Sequence, residues 1–264
     1  MARLQDGLVL DAQGRAFTLD AAYPAAQHVY YFRHLDFEPR LPYEAQVIYQ
    51  DECLVVADKP HFLPVIPSGK YLQETLLVRL KKQLNLPQLS PLHRIDRDTA
   101  GLVMFSVRPQ DRAAYQALFR DGRIHKQYRA IAPYQSQLSA PLGVALHLED
   151  AANFMQVQVN AHKAPNSFTT VTGIQRLLDD SSLARYDLRP HTGKRHQLRV
   201  HMLHLAAPIV GDQIYPDLLP ERDITQTGLA PLQLLAHQLG FTDPISGVQR
   251  HFESKRRLEL MPAV

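Results

Sequence analysis

The sequence lacks several features that would place it in a specialised class of proteins. Its 264 residues include a single cysteine, Cys53, which excludes an internal disulfide and a metal cluster held by thiolates alone. No apolar run approaches the roughly 20 residues that a membrane-spanning helix needs. Residues 1–6 are too polar to begin a secretory signal, and no apolar signal core follows them. Since no repeat or low-complexity segment is present either, we expect a globular protein of the cytoplasm.

The overall charge is nearly balanced and does not by itself indicate a nucleic-acid partner. There are 29 Lys and Arg residues against 26 Asp and Glu residues, which gives a formal net charge of +3. Basic residues nevertheless concentrate in four segments, which are 79–82, 120–129, 189–199 and 250–257. Any one such segment is explained most simply as a solvated face. Four of them together favour a polyanionic partner, because they can neutralise phosphate groups.

Residues 1–42 differ in pattern from the rest of the chain. They contain a predicted short hairpin over residues 7–19, and Pro39 and Pro42 indicate a linker or a strap. A clean strand pattern begins only at Val47. The sequence therefore predicts an N-terminal extension, residues 1–42, followed by a main domain, residues 43–264.

The main domain carries more strand signals than helix signals. Apolar residues repeating every three or four positions predict helices over residues 73–84, 110–121 and 195–205. Apolar runs and two-residue alternation predict strands over residues 47–49, 53–57, 102–107, 128–132, 154–159, 167–174 and 183–188. Because strands follow one another without regular β-α-β alternation, the pattern predicts an α+β fold with a mostly antiparallel sheet.

A charged loop, residues 93–101, leads directly into the apolar strand that starts at Leu102. On composition alone it is explained best as a capped and solvated turn. A loop fixed at one end by a core strand is nevertheless a good support for catalytic groups. Asp96 lies between Arg94 and Arg97, and we expect it to remain ionised because nearby cations favour a carboxylate. An ionised carboxylate can act as a nucleophile or as a base.

The sequence of this loop, H-R-I-D-R-D-T-A-G, resembles the catalytic loop of the RluA-type pseudouridine synthase family, H-R-L-D-x-x-T-S-G. Further segments resemble that family in the same order. They are its opening strands and Lys-Pro at 49–60, its K-x-Y-x-A strand at 125–130, its L-x-P-x-T-G-R-x-H-Q-I-R-V-H-M block at 188–202 and its closing strands at 234–244. The resemblance covers about residues 45–255. It implies an enzyme that isomerises uridine to pseudouridine in structured RNA, either ribosomal or transfer RNA.

The resemblance also implies the architecture and the requirements of the reaction. The expected fold is a mixed, mostly antiparallel central sheet with flanking helices. We expect a stand-alone catalytic domain, because residues 1–42 are too short for the S4 RNA-binding domain that many relatives carry. The isomerisation adds no atom and changes no oxidation state, so we expect no cofactor and no metal. We also expect no obligate protein partner.

Three catalytic residues follow from the resemblance. Asp96 supplies the carboxylate, Tyr128 lies against the uracil ring, and Arg199 pairs with Asp96. On a helix spanning 195–205, Arg195 would share a face with Arg199. Arg94 is implied to fill the gap that the target nucleotide leaves when it flips out of the RNA stack. The full set of implied substrate-binding residues is His93, Arg94, Thr99, Lys126, Lys194, Arg195 and His196.

Two departures from the family pattern leave alternatives open. Phe62 stands where the family usually has glycine in K-P-x-G-L, and Lys194 replaces the usual arginine after Thr192-Gly193. One alternative is therefore a relative that binds RNA without catalysis. A second is a metal-dependent hydrolase, because histidines and one aspartate concentrate near the last helix. This second signal is weak, since no H-E-x-x-H is present; the residues concerned are His191, His196, His201, His204 and Asp212.

Overall fold

The structure, a computed structural model, describes residues 2–22, 28–31, 35, 37–178, 180 and 182–260. The chain divides into two compact units, Met1–Glu38 and Pro39–Val264. The first unit contains a short helix α1 (Ala2–Gln5) and two short antiparallel strands, β1 (Val9–Leu10) and β2 (Tyr30–Tyr31). The predicted hairpin over residues 7–19 is present as a turn closed by a single bridge between Leu10 and Ala16, whereas the strand partner of β1 is β2.

Ten of the described strands in the second unit form one central sheet. The strands of this unit are β3 (Gln46–Gln50), β4 (Leu54–Lys59), β5 (Ser90–Pro91), β6 (Ala100–Ser106), β7 (His125–Pro133), β8 (Leu142–Leu146), β9 (Leu148–Asp150), β10 (Val157–Val159), β11 (Ser167–Arg176), β12 (Leu183–Pro190), β13 (Leu234–Thr242) and β14 (Gln249–Glu253). The sheet order is β3-β4-β6-β13-β7-β12-β11-β8, with β5 beside β6 and β14 beside β13. Strands β9 and β10 form a separate hairpin.

The strand directions agree with the sequence. Among the described strands of the central sheet, β6 and β13 are the one parallel pair, and every other neighbouring pair is antiparallel. The predicted mixed, mostly antiparallel sheet with flanking helices is therefore confirmed. The predicted strand over residues 154–159 is shorter than expected, because residues 154–156 form the turn that precedes β10. Strands β5, β8, β9 and β14 had no counterpart in the prediction.

Three helices flank the sheet: α2 (Leu76–Gln83), α3 (Arg112–Arg120, after a 3-10 turn) and α4 (Gln197–His204). The prediction that a helix spans 195–205 is wrong at its start. His196 has a left-handed backbone with φ 53°, so the helix begins only at Gln197. Arg195 therefore precedes the helix and does not share a face with Arg199. In the described part of the chain, no helix is both long and apolar enough to cross a bilayer.

Helices α2 and α4 pack on different parts of the sheet. Leu76 and Leu80 of α2 contribute to a core with apolar side chains of β4 and β6. Leu198 and Met202 of α4 contribute to a second core with apolar side chains of β7 and β12. Val200, between them, belongs to a third core with β8 and the β9–β10 hairpin. Helix α4 is therefore buried on more than one side, and a polar group on it is removed from water.

Phe62, the departure from the family pattern noted above, has a positive φ of 65°. This left-handed backbone explains why glycine is usual there, since a side chain makes that conformation costly. The Phe62 ring is 6% exposed and packs in the core of α2, 5.3 Å from the ring of Tyr43. Burial of the ring offsets the backbone strain.

Gly101, at the start of β6, fixes the end of the loop that contains Asp96. It has φ 112° and pairs with Ala236 of β13 in the parallel part of the sheet. A Cβ at this position would lie 2.2 Å from the carbonyl oxygen of Ala236. The two strands approach this closely only because residue 101 has no side chain.

We predict that Gly101→Ala destabilises the protein by about 3 kcal/mol or more, because it adds backbone strain to a clash with β13. Urea unfolding followed by circular dichroism measures this change. The matched control is Gly143→Ala on β8, where an added Cβ has no neighbour within 4 Å. Equal stability of the two variants would contradict the argument.

Candidate active site

A cleft of about 690 Å³ collects all ten residues that the sequence predicted for the site. The loop before β6 contributes His93, Arg94, Asp96 and Thr99; β7 contributes Lys126 and Tyr128; and the segment at the start of α4 contributes Lys194, Arg195, His196 and Arg199. Residues far apart in the chain thus meet at one place. The contacts that each of them makes differ considerably.

The Arg199 guanidinium lies between two carboxylates. Its Nη1 is 3.3 Å from Oδ2 of Asp96, and its Nε donates to Oδ2 of Asp212 at 2.7 Å, while Nη2 donates to the other oxygen of Asp212. Arg199 and Asp212 side chains are 2% and 1% exposed, whereas that of Asp96 is 27% exposed. Burial disfavours the charged guanidinium, but Asp212 outweighs this effect and holds the pKa of Arg199 above its usual value. Asp96 is therefore open to the cleft beside a permanent positive charge.

Asp212 was not predicted as part of this arrangement. Besides binding Arg199, its Oδ1 accepts the backbone N–H groups of Ile214 and Tyr215 at 2.8 and 3.0 Å. The Arg199 guanidinium also lies over the Tyr215 ring, 5.4 Å from its centroid. Sequence analysis named Asp212 among the ligands of the alternative metal site and gave it no role beside Arg199. Nothing in the 13-residue separation from Arg199 indicated their contact.

Lys59 on β4 supports the loop around Asp96 through its backbone. The sequence analysis did not single out this residue for the site. The buried Nζ of Lys59 donates to the carbonyl oxygens of Pro60, Leu63 and Arg97 at 2.8–2.9 Å. Three acceptors match the three N–H bonds of an ammonium group. Burial lowers the pKa of Lys59 to about 7, and the charges of Asp98 and Asp96 oppose that shift. Lys59 thereby connects β4 to the residue that follows Asp96.

The arginines next to Asp96 in sequence are not its partners. Arg97 Nε donates to Oδ1 of Asp98 at 2.9 Å. The Arg94 side chain is exposed and has no ion pair among the described residues. The cation in contact with Asp96 is Arg199.

Tyr128 presents a partly exposed ring to the cleft. It lies on β7, where it pairs with Leu188 of β12 and Ala236 of β13. Burial and the nearby charge of Asp96 raise the pKa of Tyr128, so the phenol stays protonated at neutral pH. The cleft thus combines a carboxylate, a fixed cation and an uncharged aromatic ring.

The segment before α4 is held by side-chain bonds rather than by helix geometry. Oε1 of Gln197 accepts from the Thr192 hydroxyl at 2.7 Å and from the backbone N–H of Lys194 at 3.1 Å. Nζ of Lys126 donates to the carbonyl oxygen of Thr192 at 3.1 Å. Lys194 itself is exposed at the rim of the cleft. Lys126 therefore supports this segment, while Lys194 is directed toward solvent.

Arg195 and His196 are engaged with the protein. Arg195 donates to the carbonyl oxygens of Phe154 and Gln156 at 2.6 and 2.7 Å and pairs with Asp150 at 3.0 Å. It therefore fixes the turn between β9 and β10. Nδ1 of His196 lies 3.0 Å from the Tyr215 hydroxyl, and burial lowers the pKa of His196.

His93 and Thr99 shape the loop that contains Asp96. Nε2 of His93 accepts the backbone N–H of Met104 at 3.1 Å, and its ring stacks on Phe119 with centroids 4.6 Å apart. Burial, with a contribution from the charge of Lys126, lowers the pKa of His93 to about 3. Thr99 is buried, and its backbone N–H donates to the carbonyl oxygen of Asp96 at 3.2 Å.

The histidines of the alternative metal site have separate partners. Nε2 of His201 lies 2.9 Å from the Ser167 hydroxyl, and Nε2 of His191 lies 2.9 Å from the Thr170 hydroxyl. Asp212 is bound to Arg199, as described above. Within the described ranges, no group of three or more His, Cys, Asp or Glu residues converges as metal ligands would.

Comparison with known proteins agrees with this geometry. A model of the RNA pseudouridylate synthase family matches residues 53–204. The chain is 32% identical over 213 residues to tRNA pseudouridine synthase C of Haemophilus ducreyi, covering 76% of this chain and 86% of that protein. It is 31% identical over 214 residues to the dual-specificity RNA pseudouridine synthase RluA of Salmonella typhi, covering 78% and 91%. The solved structure of human RNA pseudouridylate synthase domain containing 1 superposes with a TM-score of 0.63 at 19% identity, covering 83% of this chain and 86% of that one.

Fold and cleft define an RNA-modifying isomerase. The chain belongs to the RNA pseudouridylate synthase family. It is an enzyme that isomerises uridine to pseudouridine in RNA, as the sequence predicted. The comparisons therefore favour this activity over the hydrolase alternative.

We predict that His93 makes the protein less stable in acid. The pKa of His93 is about 3 in the folded protein, whereas a histidine in the unfolded chain has a pKa of 6.5. Between these values the unfolded chain binds a proton that the folded chain does not, so stability falls as pH falls. The loss due to His93 is about 2 kcal/mol between pH 7 and pH 5.

Urea unfolding at both pH values measures this loss in wild type and in His93→Gln, whose amide oxygen can still accept from Met104. The variant should lose less stability on acidification than wild type. The control His162→Gln removes an exposed histidine and should retain the wild-type difference. An unchanged pH dependence in His93→Gln would refute the assignment of a neutral His93.

Proposed function

We propose that this synthase acts on a uridine of structured transfer or ribosomal RNA, with Asp96 as the catalytic carboxylate. One observation carries the proposal. The Asp96 side chain opens to the cleft and contacts Arg199, whose charge is fixed by the buried Asp212. Arg199 orients the carboxylate through Oδ2, which leaves the other oxygen available to a substrate.

The reaction requires one bond to break and one to form at the same sugar carbon. The N1–C1′ bond of uridine breaks, the uracil rotates, and C5 joins C1′. N1 ends with a proton, and C5 loses its proton to a base or to water. An ionised carboxylate beside C1′ serves both a covalent route, through an ester at C1′, and a route through proton removal from the sugar.

Tyr128 and Arg199 have distinct proposed roles. The Tyr128 ring offers the detached uracil a flat surface, which permits rotation better than a set of directional hydrogen bonds. Its raised pKa keeps the hydroxyl protonated, so it can donate a hydrogen bond to the uracil, and it can take the C5 proton only while it passes its own proton to another acceptor. Arg199 influences the reaction only through Asp96, because its other hydrogen bonds are to Asp212.

The rim of the cleft is suited to an RNA whose target nucleotide has left the stack. Arg94 and Lys194 are exposed there and available to phosphates or to the gap in the stack. Flipping a nucleotide costs a few kcal/mol in a duplex and less in a loop. The names of the relatives above, a tRNA synthase and a dual-specificity RNA synthase, support transfer RNA as the first substrate to test.

The remaining substrate-binding residues act indirectly. His93, Thr99, Lys126 and His196 hold the walls of the cleft through the contacts described above. Arg195 holds the β9–β10 turn at its rim. We propose that these five residues shape the RNA-binding surface, and that Arg94 and Lys194 are the cations that contact RNA.

We further propose that residues 43–264 form the catalytic domain and that residues 1–42 are an extension. The support is that every residue proposed above for the cleft lies within 43–264. We place the enzyme in the cytoplasm because its single cysteine fits a reducing compartment.

We predict that Asp96→Asn lowers turnover by at least about 10³-fold, equivalent to about 4 kcal/mol of transition-state stabilisation. Folding should be nearly unchanged, because Asp212 still neutralises Arg199. The measurement is tritium release from C5-labelled uridine in bulk transfer and ribosomal RNA of cells that lack this enzyme. Release by the variant at the wild-type rate would exclude Asp96 as the catalytic carboxylate.

We predict that Tyr128→Phe keeps folding and RNA binding, because the ring remains in place. If the hydroxyl moves the C5 proton, the single-turnover rate falls by about 10²-fold or more. If the ring acts only as a surface, the rate stays within a few-fold of wild type. Tyr128→Ala is the matched control, since it removes the surface and should abolish turnover; activity in that variant would contradict both roles.

A further inference from the structure

A second groove, of about 510 Å³, lies next to the active cleft and is rich in basic side chains. Strands β7, β12, β13 and β14 and the turn before β7 line it. Its basic and histidine side chains are those of Arg123, His125, Arg189, Arg250 and His251. None of them has a role in the site described above.

The middle of the groove is a notch between two histidines. His125 of β7 and His251 of β14 both pair with Gly240 of β13, which lies between them. A Cβ at Gly240 would meet Nδ1 of His251 at 3.6 Å and Cβ of His125 at 3.8 Å. The absence of a side chain at Gly240 therefore leaves a recess with an imidazole on each side.

The side chains around this notch differ in whether they have partners within the protein. Arg123 pairs with Asp121, and Arg250 with Asp51 and Asp243, at 3.3–3.6 Å. By contrast, the side chains of His125, Arg189 and His251 have no hydrogen-bond or ion-pair partner among the described residues. Burial lowers the pKa of His125, and Arg189 and His251 lower it further. A phosphate oxygen placed among these three side chains would accept hydrogen bonds from the Arg189 guanidinium and from imidazole N–H groups.

The groove and the cleft share the same strand ends. On β7, His125 lines the groove while the next residue, Lys126, lines the cleft; on β12, Arg189 lines the groove while Pro190 lines the cleft. Consecutive residues of a strand point to opposite faces. The start of β7 lies beside the end of β12, because the two strands are antiparallel. The groove and the cleft therefore lie at the same end of these strands but on opposite faces.

The turn between α3 and β7 joins the two sites. Arg120 lines the cleft, and Arg123, three residues later, lines the groove. Basic side chains therefore continue from one face of the strands to the other around this end of the sheet. A ligand that follows them needs regularly spaced negative charges, which is the chemistry of a nucleic-acid backbone.

We propose that the notch formed by His125, Arg189, Gly240 and His251 binds phosphate groups of the substrate RNA at nucleotides outside the catalytic cleft. This inference rests on the proposed function, in which the target uridine of the same RNA occupies the cleft. The groove adds affinity and positions the RNA. It takes no part in the chemical step, because none of its side chains reaches the cleft.

The experiment measures binding of bulk transfer RNA, from cells that lack the enzyme, at several salt concentrations. Arg189→Ala should weaken binding and lower the slope of log affinity against log salt by about 1, because about one phosphate contact is lost. Gly240→Glu should weaken binding about tenfold or more by placing a carboxylate in the notch, an effect of about 1.4 kcal/mol. The single-turnover rate of tritium release at saturating enzyme should remain at the wild-type value for both.

Matched controls separate the groove from general effects. Gly240→Ala adds only a methyl group at an ordinary contact distance and should bind RNA as wild type does. Arg40→Ala removes an exposed cation that lies outside the groove and outside the four basic segments, and it should leave the salt dependence unchanged. Binding of RNA is also measured in an excess of inorganic phosphate. If RNA affinity is unchanged, the notch prefers RNA to the free anion, which supports RNA as the ligand.

The outcomes distinguish this inference from the proposed function. If wild type releases tritium but Arg189→Ala and Gly240→Glu bind RNA with wild-type affinity and salt slope, the groove proposal is overturned and the synthase assignment stands. If the variants lose the saturating rate but not affinity, the groove belongs to catalysis and the proposal is also overturned. If wild type releases no tritium from transfer or ribosomal RNA, the proposed substrates are wrong, whatever the groove binds.

Discussion

The ion pair between Arg199 and Asp212 is the contact on which the proposed catalytic geometry depends. A buried guanidinium is costly unless a carboxylate neutralises it and its hydrogen bonds are satisfied. Asp212 does both, because its two oxygens bind Arg199 and one of them also accepts two backbone N–H groups. Arg199 therefore keeps its charge without depending on Asp96. The catalytic carboxylate can then exchange contacts with a substrate while the cation beside it stays in place.

Sequence reasoning located the chemistry better than the supports that hold it. The loop motif identified Asp96, and the same reasoning paired it with Arg199, which the structure places 3.3 Å away. It did not find Asp212 or Lys59 as supports, because a buried polar side chain and its distant partner leave no periodic pattern in the sequence. It also placed Arg195 on α4, since the left-handed backbone of His196 that delays the helix is set by tertiary contacts.

The same limit applies to the sheet. Alternation of apolar residues predicted most strands, and their density predicted the fold class. The order of strands depends on contacts between distant segments, such as the parallel pairing of β6 with β13, which lies more than a hundred residues later in the chain. Gly101 makes that pairing possible; the sequence placed it in the loop motif, but the motif does not indicate its contact with β13. Strand β14 (QRHFE) is mostly polar and exposed and was missed, and the short apolar strand β8 (LGVAL) was missed as well.

The strained backbone of Phe62 has a consequence for how this chain can change over generations. A left-handed conformation at a residue other than glycine costs about 1–3 kcal/mol. Replacing the phenylalanine by the glycine that the family usually has would recover that energy, but it would empty a buried site whose loss costs about 3–5 kcal/mol. A change to glycine alone is thus unfavourable, even though glycine suits the backbone better. It becomes tolerable only together with a change in the neighbouring core that fills the space beside Tyr43.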